Sequence, residues 1–183
     1  MTLVFMGTPE WAIPSLQALI DSQVEIKAVF SQPDRKIGRK KYLQPSPVKQ
    51  FAEKNKLTVF TPDKIGIEKN LELLNVIKPD LILVCAYGQI FNKYLLEIPK
   101  IGCFNLHFSF LPKLRGASPV QTAIYSGLEK TGVTIQKMVL GLDAGPIVAS
   151  SEPEIISPND TSSKLGYRLS KIAGNLCTET IPK

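Results

Sequence analysis

Short apolar runs alternate with amphipathic segments along the chain, and this alternation predicts strands that take turns with helices. The apolar runs predicted as strands are residues 2–6, 24–31, 57–60, 80–86 and 101–104, followed by 131–139 and 146–149. The segments predicted as helices are residues 8–22, 47–55, 65–77, 118–126 and 161–176. Such alternation predicts an α/β fold with a doubly wound, mostly parallel, Rossmann-like sheet and helices on both faces.

The first strand is followed by Gly7, Thr8 and Pro9, a typical start of a helix. Thr8 is predicted as the N-cap residue and Pro9 as the first helical residue. The glycine pattern that binds dinucleotides is absent after this strand, and so is a P-loop. This start argues against an enzyme that uses a nicotinamide cofactor and against a nucleotidase.

The apolar run at residues 101–104 leads directly into Asn105 and His107, the only histidine of the chain. Because side chains alternate across a strand, Asn105 and His107 share one face and Leu106 points to the other. An amide donor and a titratable imidazole are therefore expected side by side at the end of a strand, where open α/β sheets bind ligands. Both residue types also serve as ordinary hydrogen-bonding groups at strand ends, so a structural role stays open at this point.

Two further stretches carry candidate chemistry. Asp143 lies in a connection bounded by Gly141 and Gly145, where an aspartate often serves turn geometry alone. Residues 32–47 form a long polar segment that is predicted to be an irregular loop. Five of the seven residues from 35 to 41 are basic, namely Arg35, Lys36, Arg39, Lys40 and Lys41. This basic loop is either a solvated surface or an arm that follows a nucleic-acid backbone.

Composition narrows the setting of the protein. The 183 residues fit one domain, 44% of them are hydrophobic, and the formal net charge of +6 favours anionic partners without identifying them. No run approaches the length that spans a bilayer, and the N-terminal residues resemble a strand rather than a signal peptide. Three cysteines without a Cys-x-x-Cys pair, together with one histidine, predict reduced thiols and no zinc site. We therefore expect a cytoplasmic monomer that has no membrane contact.

The stretch Asn105-x-His107, followed by Ser109-x-Leu111-Pro112, resembles the active-site signature of folate-dependent formyltransferases. The segments at residues 131–135 and 141–147 resemble the downstream part of the same signature. Within that family, Gln32-Pro33-Asp34-Arg35 and Ser46-Pro47-Val48-Lys49 are most similar to the methionyl-tRNA formyltransferases. The resemblance covers residues 1 to about 167.

The resemblance implies transfer of a formyl group from 10-formyltetrahydrofolate to the amino group of methionyl-initiator tRNA, in translation initiation, with no metal and no nicotinamide. The implied catalytic residues are Asn105 as oxyanion donor, His107 as acid or base, and Asp143 as its partner. The implied folate-binding residues are Tyr87, Gly88, Ser109, Phe110, Leu111 and Pro112. The implied tRNA-binding residues are Arg35, Lys36, Arg39, Lys40 and Lys41.

Two departures from the family pattern accompany the resemblance. Phe108 and Phe110 are larger than the residues usual at these positions, beside the implied folate pocket. Methionyl-tRNA formyltransferases also carry a C-terminal β-barrel domain, for which residues 1–183 leave no room, so the chain is expected to be a catalytic domain, either excised or from a polypeptide shorter than its family. The alternatives are a formyltransferase for a small acceptor, such as glycinamide ribonucleotide or an amino sugar, and a non-catalytic tRNA-binding module.

Overall fold

The computed structural model of the protein describes residues 1–37 and 42–181. Its strands, in chain order, are β1 (Thr2–Gly7), β2 (Glu25–Phe30), β3 (Arg35–Ile37), β4 (Tyr42–Gln44), β5 (Val59–Phe60), β6 (Leu81–Cys85), β7 (Gly102–His107), β8 (Lys130–Thr131), β9 (Thr134–Lys137), β10 (Ile147–Ser150) and β11 (Glu154–Ile155). Its helices are α1 (Ile13–Asp21), α2 (Pro47–Lys54), α3 (Glu68–Ile77), α4 (Lys93–Glu97), α5 (Pro119–Tyr125) and α6 (Ser162–Thr180), with a 3₁₀ turn at Glu10–Ala12. None of the helices in these two ranges has the length and apolar composition that crossing a membrane requires.

Seven strands form the central sheet in the order β10-β9-β7-β6-β1-β2-β5. The five strands β7, β6, β1, β2 and β5 run parallel to one another. Strand β9 is antiparallel to both of its neighbours, β7 and β10. The sheet confirms the predicted mostly parallel α/β fold. The buried strand β6 lies at its centre, as the apolar run predicts.

The strand order reverses between β1 and β6, because β2 lies on the far side of β1 while β6 and β7 extend the sheet in the other direction. The carboxyl ends of these two strands are adjacent, since Gly7 is in register with Cys85. The loops that leave the two strands therefore diverge and leave a crevice between them. This reversal sets the position of the candidate site.

Two apolar layers sandwich the sheet. Side chains of one set, such as Phe5 and Leu83, pack with apolar residues of α1, α2, α5 and α6. The alternate side chains, such as Met6 and Ile82, pack with α3 and α4 on the opposite face. Helices thus cover both faces, and this doubly covered core rigidly positions the strand ends.

Helix α6 packs closely against the start of the chain. A Cβ atom added at Gly166 would clash with the Trp11 ring, and one at Gly174 would lie 2.9 Å from the Pro14 carbonyl oxygen. Larger residues at these two positions would push α6 outward. The close approach holds Trp11, whose ring is stacked at 6.2 Å from the ring of Phe108. Helix packing thereby shapes one wall of the crevice.

The first helix differs from its prediction. Thr8 does not cap it, because a 3₁₀ turn precedes α1 and neither element has a side-chain cap. The Thr8 hydroxyl instead donates a hydrogen bond to the Tyr87 carbonyl oxygen at 2.8 Å. The prediction that Thr8 is the N-cap was therefore wrong, because a contact with the loop after β6 uses the hydroxyl group that the cap required.

The loop predicted as irregular contains a β-hairpin. Strands β3 and β4 pair antiparallel, with Arg35 opposite Gln44 and Lys36 opposite Leu43. The predicted strand at residues 131–139 is also interrupted, since β8 and β9 belong to different sheets. Strands of three residues, such as β3 and β4, are too short to show the apolar alternation on which a strand prediction depends.

Candidate active site

Strand β7 presents Asn105 and His107 on one face of the sheet. Its neighbour β9 is antiparallel, and the register places Asn105 opposite Gln136 and His107 opposite Thr134. Leu106 points to the other face and packs in the core with α5 and α6. The alternation expected from the sequence therefore brings the amide and the imidazole together at the strand end.

His107 is nearly enclosed, with 5% of its side chain exposed. Its Nε2 lies 2.8 Å from the carbonyl oxygen of Leu114. A carbonyl oxygen only accepts hydrogen bonds, so this contact requires the proton on Nε2. In the neutral imidazole, Nδ1 is then unprotonated, and it lies 3.6 Å from Oδ2 of Asp143. His107 is thus oriented with a proton-accepting nitrogen toward a carboxylate.

Asp143 occupies the turn after β9 in a left-handed conformation with a φ angle of 44°. Its Oδ2 accepts a hydrogen bond from the backbone N–H of Gly116 at 2.8 Å. Its Oδ1 accepts one from Nε2 of Gln136 at 2.7 Å, and Nδ2 of Asn105 lies farther from the same oxygen, at 3.5 Å. The carboxylate, 10% exposed, is therefore held by neutral donors independently of His107.

One loop fixes both members of the histidine–aspartate pair. Leu114 supplies the carbonyl oxygen for His107, and Gly116, two residues later, supplies the N–H for Asp143. Both residues have positive φ angles, 57° at Leu114 and 106° at Gly116. This backbone conformation turns a carbonyl group and an amide group toward the same site.

Three adjoining clefts surround these residues. The central cleft, of about 480 Å³, contains Asn105, His107 and Asp143 together with Tyr87 and Gly88. The apolar cleft, of about 350 Å³, shares Asn105 and Asp143 and is lined mainly by Ile90, Phe91, Met138, Val139, Leu140 and Leu142. The hairpin cleft, of about 290 Å³, lies between the Tyr87 loop and the hairpin and is lined by Thr8, Pro9, Gln32, Arg35, Gln44 and Pro47, among others.

The loop after β6 joins the central cleft to the hairpin cleft. The Tyr87 ring is buried, and burial raises the pKa of its hydroxyl group. The Tyr87 carbonyl oxygen accepts hydrogen bonds from Thr8 Oγ1 at 2.8 Å and from Gln32 Nε2 at 3.1 Å. Gly88, with a φ angle of 82°, allows the backbone to turn beside the cleft. The phenol group is thus enclosed in the protein, and Tyr87 and Gly88 line both clefts.

The four residues at 109–112 are placed differently from the other predicted folate-binding residues. Ser109 donates to the Lys113 carbonyl oxygen at 2.9 Å, and Thr134 Oγ1 donates to the Ser109 carbonyl oxygen and accepts from the Leu111 N–H. The Phe110 ring lies against Gly132. These residues, with Pro112, do not line the three clefts formed by the described residues. Their contact with folate stays a prediction.

Of the predicted basic residues, Arg35 and Lys36 are exposed on β3, whereas Arg39, Lys40 and Lys41 lie outside the described residues. Arg35 donates to Gln32 Oε1 at 3.4 Å, and Asp34 forms an ion pair of 2.8 Å with Lys49 of α2. These contacts attach the base of the hairpin to the loop beside the central cleft.

The sequence analysis missed Gln136 and the Leu114–Gly116 backbone as parts of the site. Gln136 lies in a predicted strand, but its role depends on the antiparallel register between β7 and β9. Within residues 1–37 and 42–181, no group of three or more His, Cys, Asp or Glu side chains is arranged as a metal site. The site consists of one imidazole, one carboxylate and two amides.

Comparisons with known proteins agree on one family. The family model described as Formyl transferase matches residues 1–181. The chain is 44% identical over 181 residues to a methionyl-tRNA formyltransferase of Halorhodospira halophila, covering 99% of this chain and 58% of that protein. It is 45% identical to the enzyme of the same name from Bacillus velezensis, covering 98% of this chain and 56% of that protein. The chain thus spans somewhat more than half the length of the curated relatives it matches.

Solved structures share the fold at lower identity. The phosphoribosylglycinamide formyltransferase of Bacillus halodurans has a TM-score of 0.80 and 22% identity, covering 98% of this chain and 93% of its own. A sugar 3N-formyl transferase, WlaRD, has a TM-score of 0.71 and 25% identity, covering 99% of this chain and 61% of its own. The central sheet is therefore common to enzymes with different named acceptors.

Proposed function

This chain belongs to the formyl transferase family, and from that premise we propose that it transfers a formyl group from 10-formyltetrahydrofolate to the amino group of methionyl-initiator tRNA. The observation that carries the proposal is the convergence of Asn105, His107 and Asp143 in the central cleft. Identity of 44–45% to relatives named methionyl-tRNA formyltransferase supports the acceptor.

Asn105 is the proposed oxyanion donor. When the acceptor amine attacks the formyl carbon, negative charge develops on the formyl oxygen. An amide N–H that is already in place stabilises this charge without reorganisation at the moment of reaction. Asn105 lines both the central and the apolar clefts, so a donor and an acceptor substrate can meet beside it.

His107 and Asp143 are the proposed proton-handling pair. The new carbon–nitrogen bond forms to the acceptor amine, the bond between the formyl carbon and N10 breaks, and the proton lost by the amine is balanced by one gained at N10. His107, with Nε2 fixed by the Leu114 carbonyl oxygen, can relay this proton through Nδ1. Asp143 stabilises the protonated imidazole from 3.6 Å. The steps need no metal ion and no nicotinamide.

The apolar cleft is the proposed folate site. Its volume of about 350 Å³ lies within the range of small-molecule sites, and its aromatic and aliphatic walls suit a planar ring system. Tyr87 and Gly88 border the neighbouring central cleft, consistent with their proposed place beside the folate. Ser109, Phe110, Leu111 and Pro112 remain proposed folate contacts on the family resemblance alone.

The hairpin is the proposed contact surface for tRNA. Arg35 and Lys36 are exposed on β3. Three more basic residues, Arg39, Lys40 and Lys41, follow within five positions of Lys36 in the sequence. Cationic side chains that project from one loop favour a phosphate backbone. The hairpin cleft continues from this surface to the Tyr87 loop, so an acceptor bound there is directed toward the central cleft.

The proposal is tested by incubating the protein with 10-formyltetrahydrofolate and either methionyl-initiator tRNA or glycinamide ribonucleotide. We expect formyl-methionyl-tRNA and no reaction with glycinamide ribonucleotide. Formylation of only the small acceptor would make the chain a formyltransferase of another acceptor class. Binding of tRNA without transfer, by a folded protein that also binds folate, would support a non-catalytic tRNA-binding module instead.

A further inference from the structure

Gln136 has a position that the proposed mechanism does not yet use. It lies on β9 directly opposite Asn105, and 2% of the residue is exposed. Cross-strand partners in an antiparallel pair project to the same face, so the two amides are neighbours. Both point toward Asp143, which lies in the turn that follows β9.

Asp143 determines how the Gln136 amide is oriented. A carboxylate oxygen accepts hydrogen bonds, so the Gln136 atom 2.7 Å from Asp143 Oδ1 is the nitrogen Nε2. The amide oxygen Oε1 must then point away from the carboxylate. It is buried and has no hydrogen-bond partner among the described residues. Gln136 therefore keeps one strong contact at the expense of an unpaired polar atom.

The same carboxylate oxygen also faces Asn105. Asn105 Nδ2 lies 3.5 Å from Asp143 Oδ1, longer than the usual N–H···O distance of about 2.9 Å. Gln136 already occupies Oδ1 with a short bond. Two amide nitrogens thus approach one oxygen, and Gln136 is the nearer of them.

We propose that Gln136 is a positioning residue, which occupies Asp143 Oδ1 and so keeps the Asn105 amide off the carboxylate and available to the reacting formyl oxygen. The inference rests on the proposed function for the role of Asn105. Without Gln136, Asn105 can close to an ordinary hydrogen-bond distance from Asp143, a movement of roughly 0.6 Å. Misplacement of a catalytic group by about 1 Å can cost on the order of 10²-fold in rate.

Because Gln136 Oε1 is unpaired, we expect a substitution of Gln136 to change activity much more than thermal stability. Replacing Gln136 by Met keeps the approximate length of the side chain, removes the hydrogen bond to Asp143 and also removes the buried oxygen that has no partner. These two effects oppose each other in the folded state. We expect the Tm to change by less than about 3 °C, since larger shifts in a domain of this size need a larger net loss.

The test compares Gln136→Met in two backgrounds. In the native background, we expect kcat at saturating folate to fall roughly 10- to 100-fold. Gln136 also lines the apolar cleft, so the folate KM is determined separately and any change in it reports the altered wall of that cleft. In the Asn105→Ala background, the same substitution should lower kcat less than about twofold further, because the donor that Gln136 positions is already gone. An equal loss in both backgrounds would mean that Gln136 acts on Asp143 alone, and it would overturn the inference, as would unchanged kcat.

Thr131→Val is the matched control. Thr131 is also 2% exposed, and its Oγ1 is also buried without a partner in the described part of the chain. It lies on β8, outside the three clefts. Removing its hydroxyl group should leave kcat unchanged and the Tm equal or higher. A comparable fall of kcat in both variants would reflect general repacking and would contradict a specific role of Gln136.

A crystal structure of Gln136→Met supplies a readout that is independent of formyl transfer. We expect Asn105 Nδ2 to move to within about 3.1 Å of Asp143 Oδ1. If the unsubstituted protein transfers no formyl group, the proposed function fails, yet this distance still decides whether Gln136 holds the two groups apart. If Asn105 Nδ2 stays 3.5 Å from Asp143 Oδ1 in the variant, the inference is overturned.

Discussion

Nδ1 of His107 lies 3.6 Å from Oδ2 of Asp143, although one residue ends a strand and the other lies in a turn beyond the next strand of the sheet. Backbone groups of one loop hold both members: the Leu114 carbonyl oxygen contacts Nε2, on the far side of the imidazole, and the Gly116 N–H donates to Asp143 Oδ2, the oxygen that faces the imidazole. The imidazole and the carboxylate are therefore fixed by separate contacts, and each can be altered without removing the support of the other.

We expect His107→Gln to fold and to lose roughly 10² to 10⁴ in kcat, because glutamine keeps a possible donor to Leu114 but cannot transfer a proton near neutral pH. Steady-state formyl transfer measures the loss, and circular dichroism checks the fold. The folate KM should change little, since the imidazole is not part of the apolar cleft. Turnover close to that of the unsubstituted protein would remove His107 from the proton transfer.

Asn105→Ala should also fold and lose on the order of 10² to 10³ in kcat, because the developing oxyanion loses a preorganised donor. Asn175→Ala makes the same chemical change on the exposed face of α6 and should leave kcat unchanged. Single-turnover measurements with saturating folate separate the chemical step from binding. Equal rates in the two variants would exclude Asn105 as the oxyanion donor.

The end of the strand at Asn105 and His107 was predictable because apolar runs and alternation are properties of side chains, which the sequence specifies. Strand β6 and the shared face of Asn105 and His107 follow directly from these patterns. The partners of His107 and Asp143 were not predictable in the same way, since a carbonyl oxygen and an amide hydrogen belong to every residue. Leu114 contributes through its backbone conformation, which its identity does not indicate.

The β3–β4 hairpin and the role of Gln136 were also not predicted, because both depend on pairing between strands. The β3–β4 hairpin pairs two strands of only three residues each, so its pairing leaves no apolar alternation in the sequence. Gln136 acquires its place only through the register between β7 and β9, and a single strand read by itself cannot give a register. Local patterns therefore predicted the longer strands and helices, whereas the short elements and the contacts between elements that are distant in sequence required the structure.

The acid stability of the protein should depend on Asp160 and Arg168. Arg168 donates to both oxygens of Asp160 at 2.7 and 2.8 Å, and the Ser157 N–H donates at 2.9 Å. These bonds lower the pKa of Asp160 from 3.8 to about 2. Because the folded-state pKa is depressed, the stabilisation is complete above about pH 4 and is lost as the pH falls through about 2.

Thermal unfolding of the unsubstituted protein and of Arg168→Met, followed between pH 2 and pH 6, measures this contribution. We expect Arg168→Met to have the lower Tm at pH 6 and the difference to shrink as the pH falls toward 2. The ion pair between Arg168 and Glu154 is lost in the same variant, so the difference in Tm at pH 6 includes both contacts of Arg168. A difference in Tm that does not change with pH would assign the effect to packing rather than to charge.

Acceptor choice is tested most directly on the hairpin. Lys36 is exposed on β3 and lies opposite Leu43 of β4, so Lys36→Gln removes a charge and leaves the pairing of the backbone intact. If Lys36 contacts a phosphate, the variant should bind tRNA more weakly. The slope of log affinity against log salt concentration should then decrease in magnitude by about 0.7 to 0.9. Folate binding should not change, because the hairpin does not line the apolar cleft.

Lys69→Gln on α3 is the control for this last prediction, since it removes the same charge from an exposed position away from the three clefts. It lowers the net charge equally, so any change that both variants share is a long-range effect of charge. A reduced salt slope in Lys36→Gln alone indicates a phosphate contact at the hairpin. An unchanged slope in both variants would return Lys36 to the solvated surface and would remove the support that this residue gives to a tRNA acceptor.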